Sequence, residues 1–452
     1  MSHANLLTAP VRPLILKIAL PSMLAMVASA LCTLLDALLL GRQGAQMTAA
    51  AAVSFPLLSC IQTLGFTLGM GAGSFVSRCL GSKDQQSAQT AASTALFLAV
   101  ALSVILCGVG ALFSAPICSL LGAKQDILAP AAAYARYVLL SGPLLCSNLV
   151  LSSLLRAQGR TIPNMIAFTL GAAASIALQF LLVMRMGVLG AGAAMLAREA
   201  ITLFVLSVCF LRNRQLVRPS PRTFSLRMQV FCDIMCSGAP TLLRQGVASL
   251  SAALLTRVSA SFGPAVLAGM GLSTRILNLI AAATIGFGQG FQPVCGTAFG
   301  AGMGERIRKA YRFSMRIVLF SLAAIGAALF FLSGHVLVVL SADTQAFDTA
   351  KSALRAQSIT LFAQGAVIMM NMLTQAMGLT LRASIVATSR QGFVLIPVLF
   401  VLVRLFGLRG LILSQSVSDL VSLFLCWLVT RGAIRDCGCA RGGCSDARTE
   451  SR

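Results

Sequence analysis

ALFLAVALSVILCGVGALF, residues Ala95 to Phe113, carries no charge over about the 20 residues that a helix needs to cross a hydrocarbon layer. Pro163 to Met184 reads the same way. Lipid offers no partner for backbone N–H and C=O groups, so runs this long and continuous fold as helices rather than as barrel strands. The rest of the chain agrees. Of its 452 residues 57% are hydrophobic and 10% charged, with a mean hydropathy of +0.88, a balance that a water-facing core of this size does not need. Working outward, the pattern predicts twelve spans: Leu14–Leu40, Ala49–Val76, Ala91–Phe113, Tyr137–Leu155, Ile162–Met184, Gly190–Leu211, Val230–Ala260, Leu267–Val294, Ile317–Leu340, Ser358–Met377, Ser384–Leu405 and Leu411–Val429. The expected fold class is an all-α integral membrane protein.

A net charge of +23 would suggest nucleic acid in a soluble chain, so the placement of the basic residues decides between the two readings. They gather in alternate connections: Arg12 and Lys17; Arg78 and Lys83; Arg156 and Arg160; Arg212 to Arg227; Arg306 to Arg316; Arg382; and the tail from Arg431. The intervening connections carry few. This is the positive-inside asymmetry, which puts both termini and the connection from Arg212 to Phe231 in the cytoplasm and predicts a multi-pass protein of a bacterial inner membrane. No basic cluster is interleaved with aromatic residues, which excludes a nucleic-acid partner. Pro10, Pro13 and Lys17 interrupt the start, so the first span, not a cleaved leader, is expected to address the chain to the membrane.

The fourteen cysteines are scattered, most of them in apolar runs where a thiol acts as a small hydrophobe, and disulfides are not expected. Cys437, Cys439 and Cys444 stand close together, but C-x-C-x4-C fits no zinc pattern well; a free or acylated tail is the competing reading. His3 and His335 are the only histidines, and neither H-E-x-x-H nor a paired-aspartate motif occurs. An intramembrane enzyme is therefore not expected, nor is a cofactor.

Compared with itself at an offset of 219 residues, the chain aligns Pro21 with Pro240, Gly44 with Gly263, Ala49 with Ala268 and Ser54 with Ser273. Gly69, Gly71, Gly81 and Gly159 meet Gly288, Gly290, Gly300 and Gly378, and Gly190 meets Gly410 after a one-residue slip. One register held over most of each half signals an internal duplication. With an even number of spans, the repeats enter the membrane in the same sense and are expected to be related by a pseudo-two-fold axis along its normal. The expected units are a first six-helix bundle (1–211), a cytoplasmic linker (212–229), a second bundle (230–432) and a tail (433–452). Two bundles facing a shared cavity suit alternating access. Pro21 and Pro240 can bend the first helix of each half, and the glycines of 65–73 and 286–290 let backbones approach closely; no strand or G-K-[ST] accompanies them, so they do not form a phosphate loop.

Pro21, DALLLGRQG at Asp36–Gly44 and LGSKD at Leu80–Asp84 resemble the first helices of the MATE (multidrug and toxic compound extrusion) family. In the second half Gly238–Pro240, GFGQGFQP at Gly286–Pro293, SRQGFVLIP at Ser389–Pro397, Gly407–Gly410 and Asp419 resemble the same family. The resemblance implies a V-shaped secondary transporter that extrudes organic solutes or drugs by antiport against protons or sodium, with the proton the preferred reading. It also implies a coupling role for Asp36 and a cationic substrate. One departure stands out: where the family's fifth helix carries an asparagine and, four residues on, an aspartate, this chain has Ser175 and Gln179.

Of twelve acidic residues, only Asp36, Glu199 and Asp419 lie well inside spans, where a charge is costly enough to need a reason. Partial loss of water penalises a charged carboxylate, which would let Asp36 trade a proton for substrate; an ion pair is the structural alternative. Glu199 is a second coupling candidate, although it could equally belong to a buried ion pair. Adjacent helical residues point about 100° apart, so it need not pair with Arg198. Asp419 reads first as a helix-packing hydrogen bond, with a place in the substrate cavity as the alternative. Arg244, Arg257, Arg275 and Arg390 add positive charge to the second half, where they either face the cavity and favour an anionic or zwitterionic substrate, or snorkel and pack. Gln179, Gln245, Asn278, Gln289, Gln292, Asn371 and Gln375 could line a substrate site or bond between helices. Met369, Met370, Met372 and Met377 offer an adaptable wall or plain filler. A monomer with a small organic substrate and membrane lipid as partners is expected. The competing function is a lipid-linked precursor flippase, which would also need a cationic cavity.

Overall fold

The computed structural model describes residues 4–42, 45–121, 123, 125–212, 217–225, 227–340 and 344–436. Cys437, Cys439 and Cys444 lie outside the described residues. Twelve long helices account for nearly all of it: α1 Val11–Arg42, α2 Ala45–Gly81, α3 Gln85–Leu112, α4 Gln125–Ala157, α5 Thr161–Met186, α6 Val188–Arg212, α7 Met228–Ser261, α8 Pro264–Gly300, α9 Gly304–Leu340, α10 Thr344–Ala376, α11 and α12 Leu408–Asp436. Helix α11 runs from Thr380–Thr388 through a π-helical turn, Ser389–Phe393, into Leu395–Phe406. Eleven of the twelve are long and apolar enough to cross a membrane. The twelfth, α7, matches them in length with 34 residues but carries Asp233, Arg244, Gln245 and Arg257.

Several helices start well before the expected spans. Arg306, Arg308, Lys309, Arg312 and Arg316 lie on the opening turns of α9 rather than in a loop, with Glu305 and Lys309 paired across one turn at 3.4 Å. Helices α4 and α10 likewise extend a dozen residues beyond the apolar run. Hydropathy marks where a helix is bathed in lipid; a helix itself continues as long as its backbone bonds are made and its charged side chains reach water. The sharp starts have local causes. Asp84 caps α3, its carboxylate accepting the Ser87 N–H at 3.0 Å.

The duplication shows in backbone and in packing. Lys83 (φ 63°) and Gly302 (φ 70°), Gly159 (φ 73°) and Gly378 (φ 76°), and Gly187 (φ 57°) and Gly407 (φ 55°) are repeat mates with the same left-handed turn. The first two pairs keep the 219-residue offset and the third is one residue longer, so the slip falls between α5 and its mate α11. The π turn absorbs it: one extra residue in a helix is accommodated as an i→i+5 turn. In the first half α2 packs on α4, α1 on α5, α5 on α6 and α4 on α6; α8–α10, α7–α11, α11–α12 and α10–α12 repeat the scheme.

The halves meet through α1 on α8, α2 on α7, and α2 on α8. Small residues make these contacts possible. A Cβ at Gly81 would strike the Thr297 carbonyl, one at Gly300 the Arg78 carbonyl, and one at Gly290 the backbone of Ala19. All of these lie at the end of the molecule where α1 and α7 begin and α2 and α8 finish. Towards the other end, a Cβ added to Gly246 of α7 or Gly271 of α8 would meet nothing within 4 Å, in keeping with halves that splay apart into a V. Each half has its own core. Leu68, Val76, Leu139 and Leu154 belong to the first; Phe291, Ile307, Leu354 and Leu373 belong to the second, which also takes Leu14, Ile15 and Ile18 from the start of α1.

Candidate functional site

Asp36, about four-fifths along α1, meets α5 and α6 inside the first half. Gln179 of α5 donates its amide to Asp36 Oδ1 and also reaches Ser175 Oγ at 3.2 Å. From α6, Arg198 stands across from the other oxygen, Nη1 to Oδ2 at 3.7 Å. Its remaining N–H groups turn to Glu199, with Nε and Nη2 at 3.0 and 2.9 Å from Oε1. Asn148 of α4 donates at 2.9 Å to Glu199 Oε2 and at the same distance to the Glu199 carbonyl. Four helices thus converge on two carboxylates and one guanidinium. The expectation that Glu199 need not pair with its neighbour is corrected: the long guanidinium arm bends back along the helix and closes the 100° gap.

Arg198 is the residue that sequence reading did not place in the site. It stands where the missing fifth-helix acid would have left Asp36 without a charged partner, and the combination of two intramembrane acids with one arginine was the available signal. Glu199 is sealed, with 5% of its side chain exposed, whereas Asp36 keeps 27%. Two polar atoms at the site, Gln179 Oε1 and Asn148 Oδ1, are buried without a hydrogen-bond partner among the described residues.

The second half holds a related pair in a different arrangement. Asp419 is the repeat mate of Glu199, one residue beyond the 219 offset, and accepts from Arg390 Nε at 2.5 Å and from Thr360 Oγ1 at 3.4 Å. Arg390 comes from the π turn of α11, whose extra residue carries it towards α12, and Ser418 Oγ donates to its carbonyl at 2.8 Å. Asp419 therefore lies in an ion pair as well as at a helix contact, and Arg390 is engaged rather than free. The repeat mate of Asp36 is Leu255, so the second half has no third group to complete a network.

The remaining candidates do not form one site. Gln292 and Gln375 bond at 3.4 Å, and Gln375 donates to Thr241 Oγ1 at 2.8 Å, next to Ser237, which takes Arg78 Nη2 of the first half at 2.9 Å. This polar chain crosses between the halves at their closed end. Gln289 and Asn371 are buried, each with one polar atom unpartnered. Asn278, Arg257 and Arg275 are exposed, Gln245 is half-buried, and Arg244 makes no hydrogen bond or ion pair among the described residues. Met369, Met370, Met372 and Met377 are all buried, at 4% exposure or less, and act as core filler.

Comparison with known proteins agrees with this geometry. The MatE family matches twice, over residues 21–181 and 240–401, starting points that reproduce the 219-residue repeat. The multidrug export protein MepA of Staphylococcus aureus (strain NCTC 8325 / PS 47) is 25% identical over 93% of this chain and 94% of its own length. MepA of Staphylococcus saprophyticus is 25% identical over 90% and 91%. Among solved structures, a MATE protein in complex with MaL6 superposes with a TM-score of 0.93 at 23% identity, covering 97% of this chain and all of its own. The outward-facing conformation of a MATE transporter of the MOP superfamily gives 0.92 at 23% identity, covering 97% of this chain and 99% of its own. Matched in both halves and sharing the twelve-helix V-shaped fold, the chain belongs to the MATE family of multi-pass multidrug efflux transporters.

Proposed function

We propose that the protein exports small organic cations by alternating access, exchanging a proton at Asp36 for each passage of substrate. The observation that carries this reading is the loose end of the first-half network. Arg198 is held closely by Glu199 but stands 3.7 Å from Asp36, whose side chain keeps 27% of its surface exposed. A substrate cation or a proton can take the place of that weak contact, while the sealed Arg198–Glu199 pair stays intact. When Asp36 is charged, it holds Gln179 of α5 and attracts Arg198 of α6. When protonated, it loses its charge and becomes a donor, so α1 is released from both helices. Because α1 also packs on α8 of the other half, a change in its hold on α5 reaches the surface on which the halves pivot.

The surroundings of Asp36 support a proton over sodium as the coupling ion. Its oxygens face an amide N–H, a guanidinium and the Cys32 thiol at 3.7 Å, a donor-rich shell that suits hydrogen bonding and offers few oxygen ligands to a hard cation. The charge of the network itself favours cations too: two carboxylates against one guanidinium. The MepA relatives, multidrug export proteins, point the same way. The test is uptake of one cationic and one anionic fluorescent dye into liposomes carrying the protein, under imposed proton or sodium gradients, with Asp36→Asn alongside. Proton-driven movement of the cationic dye that disappears in Asp36→Asn is expected. Sodium-driven transport, or transport insensitive to Asp36→Asn, would overturn the assignment.

A further inference from the structure

Along the lipid-facing side of the second half, helices α9 and α12 stand apart over a floor made by α10, leaving a groove of about 730 Å³. Its walls are apolar: Tyr311, Met315 and Leu319 on one side, Phe424 and Trp427 on the other, with Phe362, Ala366 and Met370 below. From Leu420 to Arg431 the α12 wall rises about 16 Å at 1.5 Å per residue, close to half of a hydrocarbon core about 30 Å thick. The groove is therefore one leaflet deep. At its mouth, on the end of the molecule rich in basic residues, Arg431 lies over the Trp427 ring at 5.2 Å. Arg382 of α11 comes to 3.8 Å from where a Cβ on Gly432 would stand. Beside Arg431, Thr430 borders the groove, its hydroxyl buried without a hydrogen-bond partner among the described residues.

The first half closes the matching region with its own chain. Residues 217–225 cross the start of α3: Ser220 N donates to Ser93 Oγ at 2.9 Å, Thr94 Oγ1 donates to the Ser225 carbonyl at 3.2 Å, and Phe224 packs edge-on against Phe97 at 5.3 Å. Val217 is tied to Gln158 through both backbone groups, at 2.9 and 3.3 Å. The segment that follows α12 has no equivalent apolar residues. Between Cys437 and Arg452 there is no valine, leucine, isoleucine, methionine or aromatic side chain. An aromatic-walled slot has nothing to gain from such a sequence, whereas an acyl chain fits its depth and polarity.

We infer that this groove is a binding site for an anionic phospholipid, with one acyl chain lying between α9 and α12 and the phosphate held by Arg431 at its mouth. Trp427 is the chain's only tryptophan and sits in the wall, so it reports occupancy directly. The full-length protein would be reconstituted in phosphatidylcholine vesicles with increasing fractions of phosphatidylglycerol brominated on its acyl chains, or of brominated phosphatidylcholine, and Trp427 quenching measured. Brominated phosphatidylglycerol is expected to act with about fivefold higher apparent affinity, the size of one guanidinium–headgroup contact near the surface. Arg431→Ala should bring the two lipids to parity, and Ala366→Leu, which raises the floor, should weaken quenching by both. Equal quenching by the two lipids in the unaltered protein would overturn the site and leave only the ordinary lipid annulus. Strong quenching that emerges only after deletion of residues 437–452 would overturn it too, giving the groove to the chain's own tail.

Discussion

Arg198 serves two carboxylates at once, and this makes it harder to replace than either acid. Arg198→Ala leaves Glu199 as an uncompensated buried charge, a loss of about 3 kcal/mol or more when one member of a buried pair is removed. Thermal unfolding in detergent should show a large drop for Arg198→Ala and recovery of much of it in Arg198→Ala/Glu199→Gln, since the second change removes the orphaned charge. Equal drops in the single and double variants would mean that the guanidinium matters through packing alone. Asp84 is a gentler case at the water-facing end of α3. The Ser87 hydroxyl and N–H hold its carboxyl below the usual carboxylate range. A group with a lowered folded value stabilises above its ordinary value and loses that contribution as pH falls through the lowered one. Asp84→Ala should therefore cost about 1 kcal/mol at pH 7, with the difference from the unaltered protein shrinking below about pH 4. At this scale sequence reading found Asp36, Glu199, Asp419 and Arg390, because charges inside spans are conspicuous. It left ion pairs open for Asp36 and Glu199 but missed Arg198 as their shared partner, because a side chain as long as arginine is not confined to the direction its Cβ sets.

Helix α11 differs from its mate α5 by a single residue, and the π turn at Ser389–Phe393 is where that residue is stored. The slip between Gly190 and Gly410 was visible in the sequence; its location and form were not, because a one-residue shift can be absorbed in a loop as easily as in a helix. The turn coincides with the start of SRQGFVLIP and supplies Arg390, so the insertion rotates an arginine towards Asp419 that an uninterrupted helix would aim elsewhere. Deleting Gln391 should restore an α-helix of the length of α5 and carry Arg390 about 100° away from α12. The expected result is a protein that still purifies as a single species but transports poorly, with cysteines placed at 390 and 419 no longer forming a disulfide; retained cross-linking would show that the turn is incidental. Helix ends were the least legible feature of the elements. The charged openings of α9 and α10 are helical turns that project beyond the lipid, where hydropathy falls but backbone bonding does not change.

Across the whole molecule, the closed end of the V is held by backbone contacts rather than by interlocking side chains. Gly81 and Gly300 each lie against a carbonyl of the opposite half, and Arg78 ties α2 to Ser237 of α7. Gly81→Ala with Gly300→Ala should wedge this end apart. In a background where Cys295 is the sole remaining cysteine, maleimide labelling of that buried thiol should rise several-fold over the glycine parent; unchanged labelling would show that the halves can separate without breaking this contact. The twelve-helix, two-bundle plan was readable from span count and repeat offset alone, since both follow from hydrocarbon thickness and duplication. The junction between the halves was legible only as glycine spacing, which says that something approaches closely but not what.

Gly81 and Gly300 are mates in the repeat and face one another's half, so the junction has the self-complementary form of a two-fold dimer interface. A symmetric dimer of six-helix chains would be obliged to carry every charged residue twice. Fusion into one polypeptide lifts that obligation: Asp36 stands opposite Leu255, and Arg156 opposite Gln375. An intramembrane carboxylate present in one bundle and absent from the other is thus a property of covalent linkage, available to a tandem chain and closed to a homodimer built on the same scaffold.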